Sequence, residues 1–352
     1  MGTRRHGLIR ARKAAGYTQE TLAVELGLDT TTVGQWERGK SEPMPYKRPK
    51  LARILDVTLR GLEDLLAEGT VAEPASSSAL DTDVVSGPSV DYETWADDLD
   101  RVAVCLGRQE FHLAKLLLDR WTGRLVPSGD DRGLYLYGRS LRLLGDLRQD
   151  QGVLTGPMSA RQSYGRAMAV FRELGADRRV AQLELQLAVL DEMGGNHEPA
   201  AEQYRQLATD TRLDARDRTR AQLWVGTALS KAGRNADAIT FIKPAIQRFE
   251  ALEEPQDWSV AFQKLALAHR GDGDLSQAGV AFQVALDHRP GDAPMQRVRL
   301  DTAHGHLLLS DPATADSGLK LLEGAAATST QYGMMHQLQA ISGIRRAYER
   351  QA

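Results

Sequence analysis

AVLDEMGGNHEPAAEQYRQL (188–207), GTALSKAGRNADAITFIKPA (226–245) and ALAHRGDGDLSQAGVAFQVA (266–285) are three versions of one pattern. Gly195, Gly233 and Gly273 recur at intervals of 38 and 40 residues. Ahead of them stand the small residues Ala188, Gly226 and Ala266, and twelve positions further on stand Ala200, Ala238 and Ala278. A large apolar residue follows four later, as Tyr204, Ile242 and Phe282, and Leu207, Ala245 and Ala285 close each pattern. Small residues let two helix backbones approach, and the large one fills the gap beside them. Repetition of that pair predicts stacked antiparallel helices, each burying its neighbour's apolar face. The frame extends upstream through Ala160, Tyr164 and Ala167, and downstream through Ala303, Ala315, Leu319 and Leu322.

The pattern resembles the tetratricopeptide repeat over about residues 130–350, with a period longer than the usual ~34. The resemblance implies a right-handed α-solenoid occupying 93–352. Residues 95–123 would form an atypical capping pair, and 335–351 a terminal capping helix. The predicted fold class is therefore all-α. Aromatic content of 6% and abundant Ala, Leu, Arg, Gln and Glu agree, because these residues favour helix over sheet. Hydrophobic content of 42% is enough to build a core without any apolar run long enough to span a bilayer. Cys105 is the only cysteine, which excludes an internal disulfide framework and a thiolate metal cluster. These features predict a cytoplasmic protein, at the nucleoid when bound to DNA, with no membrane partner.

Working towards the N-terminus, residues 67–92 lack periodicity, contain Pro74, Pro88 and a serine run, and are expected to be a flexible linker. Charge divides at the same place. Residues 1–66 carry 12 Lys/Arg against 8 Asp/Glu, whereas 67–100 carry nine acids and no base. A basic head beside an acidic tether suits a polyanionic partner, although an excess of this size proves nothing alone.

The head, 1–66, is expected to hold five short helices near 5–15, 18–26, 29–38, 45–55 and 59–66. Gly16, Gly27 and Gly39 sit where helices end, and Thr18, Asp29 and Thr58 where N-caps belong. At about 100° per residue, Thr30, Gly34, Thr31 and Gln35 share one slim polar face of the third helix, about 140° wide. Val33 and Trp36 lie opposite and would root the helix in a core. Such a helix offers short hydrogen-bonding groups outward, as major-groove recognition requires; the same pattern also describes an ordinary surface helix. Threonine methyls suit thymine, and Gln35 suits adenine or a phosphate.

Tyr17-Thr18-Gln19-Glu20-Thr21-Leu22-Ala23, Leu26-Gly27-Leu28, Val33, Trp36-Glu37-Arg38-Gly39-Lys40 and Pro43 together resemble the Cro/repressor, or XRE-type, helix-turn-helix. That resemblance implies double-stranded operator DNA as a partner. It assigns Thr30, Thr31 and Gln35 to base edges, and Gln19 to a phosphate or to bracing the recognition helix. It assigns Lys40 and Lys47, with Arg38 and Arg48, to flanking phosphates. Arg12 and Glu37 match a buried ion pair. Gly34 departs from the polar residue common at its position, which costs helix propensity and adds no contact.

Gly34–Ser41 also satisfies the GxxxxGK[ST] nucleotide-binding pattern, but Trp36 inside a helix and Gly39 at its end are incompatible with a phosphate-cradling loop. His304 and His306, two apart, face different ways on a helix and cannot share a metal. Asp97, Asp98 and Asp100 are expected to form a solvated helix start. With no nucleophile–base arrangement, no cofactor, metal or enzymatic activity is expected.

In the solenoid frame the first helix of each pair lines a concave face. That face would hold Tyr135, Arg139, Arg142, Gln182, Gln186, Arg220, Lys231, Gln263, Lys264, Arg270, Arg297 and His304, a groove of donors suited to an extended peptide, a protein partner or another ligand. A solvated basic face fits equally well. The combined architecture resembles peptide-sensing regulators in which a tetratricopeptide groove controls an attached helix-turn-helix. The expected function is a sequence-specific, homodimeric transcriptional regulator; the alternative is an interaction scaffold with the head as its DNA anchor.

Overall fold

The computed structural model describes residues 5–26, 28–43, 47–55, 57, 61–62, 65–66, 91–123, 130–288 and 293–350. Residues 67–90 of the expected linker, half of the expected fifth head helix, Gly27 and Thr58 lie outside them. Every regular element among the described residues is a helix. No helix among them is long and apolar enough to cross a membrane. Contacts divide the chain into two units, Met1–Asp97 and Asp98–Ala352.

The first unit contains α1 (His6–Ala14), α2 (Gln19–Leu26), α3 (Thr30–Glu37) and α4 (Arg48–Ile54). One core joins them: Leu8 from α1, Leu22, Ala23 and Leu26 from α2, Val33 and Trp36 from α3, and Leu51 and Ala52 from α4, with Leu55, Leu62 and Leu66 completing it. Thr18 opens α2, its hydroxyl accepting the Thr21 amide at 3.0 Å. Asp29 precedes α3 in an extended conformation, but its side chain makes no capping bond.

The unit boundary falls within α5 (Tyr92–Gly107), and α6 (Phe111–Thr122) packs back as the expected capping pair's second helix. Five pairs follow: α7 (Asp131–Asp150) with α8 (Ala160–Glu173), α9 (Asp177–Met193) with α10 (His197–Ala208), α11 (Ala215–Lys231) with α12 (Asn235–Ala251), α13 (Pro255–Gly271) with α14 (Leu275–Asp287), and α15 (Pro294–Leu308) with α16 (Ala315–Gln331). A last helix, α17 (Met335–Glu349), caps the series. Gly195, Gly233 and Gly273 take φ of +91°, +81° and +86° just past the ends of α9, α11 and α13, which is why glycine recurs there.

The packing follows the repeat. Ala188, Ala200 and Tyr204 are buried together, as are Ala238, Ile242 and Ala245 with α11, and Ala266, Ala278 and Phe282. A Cβ on Gly226 would run into Ile242 and stand 2.9 Å from the Ala238 carbonyl oxygen. In the last pair the pattern shifts. Leu319 is only half-buried, Leu322 fills the gap, and a Cβ on Gly305 would stand 3.0 Å from the Gly318 carbonyl oxygen. Two facing glycines there bring α15 and α16 close enough to move the large residue one turn along.

The expectation for the acidic run is corrected at Asp98. It lies beyond the first turn of α5 and is 1% exposed. Its Oδ2 accepts the Trp121 indole N–H at 2.8 Å and an Arg120 N–H at 3.1 Å. A buried indole needs an acceptor, and Asp98 supplies it. Asp100 accepts from Arg139; Asp97 alone of the three is exposed.

Candidate nucleic-acid interface and repeat groove

Helix α3 has its two faces as the periodicity predicts. Val33 and Trp36 are 2% and 4% exposed, while Thr31 and Gln35 point outward and are exposed. The side chain of Thr30 lies outside the described set. Arg38 crosses this face: a Cβ on Gly34 would come within 3.1 Å of Arg38 Nη1, so the missing side chain makes room for the guanidinium. Gly34 is thus not empty of function, as its sequence position suggested. Gly34→Ala is expected to stabilise the head by up to about 1 kcal/mol in a thermal melt, since only the tip of a flexible side chain must shift. A lower melting temperature would show that the guanidinium is fixed in place.

The helix is braced from behind. Glu37 is 3% exposed and Arg12 is 7% exposed; Arg12 Nε donates to Glu37 Oε1 at 2.6 Å and its Nη1 to the Tyr17 carbonyl at 2.7 Å. Gln19 donates to the other oxygen of Glu37, so of its two implied roles the structure displays bracing. Arg5, unmarked in the sequence, is buried and donates to the carbonyls of Trp36 and Ser41 at 3.2 and 2.8 Å and to Glu42 at 3.0 Å. It closes the C-terminal end of α3, where free carbonyls need donors.

Among the cations assigned to phosphates, Arg38 and Lys40 are exposed on and just after α3. Lys47 and Arg48 are engaged within the head. Lys47 donates to the Leu26 carbonyl at 2.9 Å, satisfying the end of α2. Arg48 donates to the Pro43 carbonyl at 3.1 Å and to Glu42 at 2.9 Å. Gly39 has φ +64° and terminates the helix containing Trp36, so the Gly34–Ser41 pattern has no phosphate-binding loop geometry.

In the repeat unit, α9 packs along α11, α11 along α13, α13 along α15 and α15 along α17, while no two successive second helices pack to that extent. The first helices therefore form the inner wall. Many of the expected groove residues clip these helices together. Gln182 donates to Asp217 at 2.8 Å, Arg220 to both oxygens of Asp257 at 3.0 Å, Gln263 to the Arg299 carbonyl at 2.8 Å and Arg270 to the His306 carbonyl at 2.9 Å. Lys231 pairs with Glu192 at 2.8 Å, Arg139 with Asp100 at 2.9 Å and Arg142 with Asp146 at 3.6 Å. Tyr135 accepts from Arg179 at 2.9 Å, and His304 stacks on Phe282 with ring centroids 4.7 Å apart. Arg297 is exposed. Gln186 and Lys264 make no side-chain hydrogen bond or ion pair among the described residues. Neighbouring groups within the repeat unit thus engage most of the donors expected on this face.

The acceptors lie on the next first helix, beyond what the periodicity of one helix shows. Gln182–Asp217, Arg220–Asp257, Gln263–Arg299 and Arg270–His306 are separated by 35–37 residues, one structural repeat. Polar pairs at that spacing were the available signal. Burial and the nearby Arg270 pull His306 down to about 4, so it is neutral at physiological pH.

Residues 8–62 match the helix-turn-helix family model. The first unit thus carries an XRE-type helix-turn-helix. No curated protein matches the sequence. Two solved structures share the fold over almost the whole chain. The Rap conjugation gene regulator of the plasmid pLS20, in complex with the Phr* peptide, is 12% identical, with a TM-score of 0.54 covering 98% of this chain and 96% of that one. NprR in complex with its cognate peptide NprX is 12% identical, with a TM-score of 0.52 covering 97% and 86%. At this identity the likeness bears on fold alone: helical repeats throughout the larger unit.

Proposed function

We propose that the chain is a sequence-specific DNA-binding regulator whose repeat unit binds a peptide ligand. The observation that carries the DNA reading is the form of α3: apolar root inward, Thr31 and Gln35 outward, Arg38 and Lys40 exposed beside them. Thr30, Thr31 and Gln35 would read base edges, with Arg38 and Lys40 on phosphates. Lys47 and Arg48 would have to leave their intramolecular partners to reach DNA. One such head covers a half-site, so the regulator acts as a homodimer on a two-fold operator. The peptide reading draws on both solved neighbours being peptide complexes and on an inner wall where Gln186 and Lys264 have no side-chain hydrogen bond or ion pair among the described residues. Ligand binding would then shift the population between DNA-binding states. No enzymatic role is assigned.

Genome-wide footprinting of the tagged protein would locate operators. The doubly substituted Thr31→Ala/Gln35→Ala protein should then lose about ten- to a hundredfold at those sites, each good base contact being worth about 1–3 kcal/mol. Binding to non-specific duplex at low salt should change little. Equal losses on both would remove these residues from base readout, and no retarded duplex for the wild-type chain would end the DNA reading.

A further inference from the structure

The inner wall of the repeat unit gathers charged and titratable groups from all six of its first-position helices. Asp150 ends α7, Glu192 and Lys231 stand near the ends of α9 and α11, Lys264 and Arg299 lie within α13 and α15, and His336 opens α17. These are far apart along the chain but close in space. Gln263, next to Lys264 in α13, donates to the Arg299 carbonyl at 2.8 Å, and Lys231 reaches Glu192 at 2.8 Å; Lys264 and His336 both lie within electrostatic reach of Lys231, Arg299 and Glu192, and Asp150 of Arg299. The series of helices curls enough to touch itself. Helix α17 packs on α7, a Cβ on Gly152 would stand 3.1 Å from the His336 amide nitrogen, and the buried Gln109 side chain accepts the Met295 amide at 3.1 Å.

The charges do not cancel. Glu192 is already engaged, taking Lys231 at 2.8 Å on one oxygen and the Tyr204 hydroxyl at 2.9 Å on the other. Lys264 and Arg299 have no ion pair or side-chain hydrogen bond among the described residues. Asp150, an acid within reach of Arg299, is pushed up to about 6 by burial and makes no ion pair with it. Burial, with Lys231 and Arg299 nearby, pulls Lys264 down to about 8. His336, drawn down to about 4 mainly by burial, adds a neutral imidazole rather than another charge. A solvated lysine on a convex surface has water for company. Lys264 instead is half-buried and faces two like charges, an arrangement that an incoming anion would relieve.

We propose that this cluster is a carboxylate-binding site in which Lys264 and Arg299 receive the anion, so that the ligand of the repeat unit carries a carboxylate into its interior. An ammonium point charge beside a guanidinium fork suits that group. The proposal rests on the reading of the repeats as a ligand sensor. The carboxylate can come from a peptide terminus, an acidic side chain or a small free acid.

The full chain is titrated with citrate at constant ionic strength and followed by thermal melting. The wild type should show a saturable rise in melting temperature. Lys264→Gln and Arg299→Gln should each weaken the apparent affinity at least tenfold, while Lys320→Gln, at an exposed lysine of α16, should not. Without any anion, Lys264→Met should melt higher than wild type. A wild-type response that does not saturate, or one unchanged in the Lys264 and Arg299 variants, overturns the proposal. Random hexapeptide pools with free and amidated C-termini separate the sources: stabilisation by the free acids alone assigns the terminus, and stabilisation by both forms, lost in Lys264→Gln, assigns acidic side chains. Peptide stabilisation that survives Lys264→Gln refutes the carboxylate site and leaves the sensor reading standing. A saturable citrate response without any peptide response supports the site, identifies a free acid as its ligand and counts against the peptide reading.

Discussion

Replacing Glu37 with alanine is expected to unfold the helix-turn-helix unit and abolish DNA binding. The Glu37 side chain is 4% exposed and that of its partner Arg12 is 8% exposed, at 2.6 Å. Alanine removes the acceptor for Arg12 Nε and Gln19 together and leaves the buried guanidinium uncompensated beside the Tyr17 carbonyl. Breaking a buried pair on one side costs about 3–5 kcal/mol. A unit of this size buries a smaller share of its surface than a large domain does, and stability towards the low end of about 5–15 kcal/mol is expected for it. The loss is therefore comparable with everything that holds α1 to α3. Hydrogen exchange at the amides of α1–α4 reads it directly: protection should collapse there. The double variant Arg12→Met/Glu37→Leu should recover most of the protection, since replacing both members of such a pair with apolar groups is often neutral. Protection in Glu37→Ala within about 1 kcal/mol of wild type would show that water already reaches the pair.

The difference between what the sequence revealed and what it concealed has a common physical origin. Helix α3 was legible because its two faces depend on residues within one helix: Val33 and Trp36 inward, Thr31 and Gln35 outward. The pairing Arg12–Glu37 was legible through resemblance, and the repeat frame through period. Arg5, by contrast, acts across more than thirty residues on the carbonyls of Trp36 and Ser41, and nothing in its neighbourhood marks it. The inner wall was misjudged for the same reason. Periodicity places Gln182, Arg220 and Gln263 on one face, but not the acceptors on the next helix that consume them. Asp98 fits a solvated helix start until Trp121 is known to need its oxygen. Lys264 was expected in the groove, yet Arg299, one repeat along on the next first helix, and His336, brought in where α17 meets α7, were missed. Local patterns fix which way a side chain faces; partners across a turn of the superhelix depend on curvature, which no single repeat encodes.

Gly226→Ala is expected to lower the melting temperature of the repeat unit by several degrees, although alanine is the better helix former. In an open helix the change would stabilise by about 1 kcal/mol. At Gly226 the new methyl would meet Ile242 and stand 2.9 Å from the Ala238 carbonyl oxygen, which is backbone of α12 and cannot turn away. Helices α11 and α12 must separate, loosening Ala245, Ile246 and Phe249 in the same core. Overpacking of this kind costs about 1–3 kcal/mol, occasionally more. Each repeat is stabilised largely by its neighbours, so the loss spreads along the array. For a unit of this length each kcal/mol is worth about 2–4 °C. Gly279→Ala is the internal control: it lies within α14 with nothing inside 4 Å of an added Cβ, and should leave the melting temperature unchanged or raise it. Adding Ile242→Val to Gly226→Ala should restore part of the loss by removing a methyl from the collision. If the two alanine variants melt alike, the close approach of α11 and α12 is not what the glycine serves.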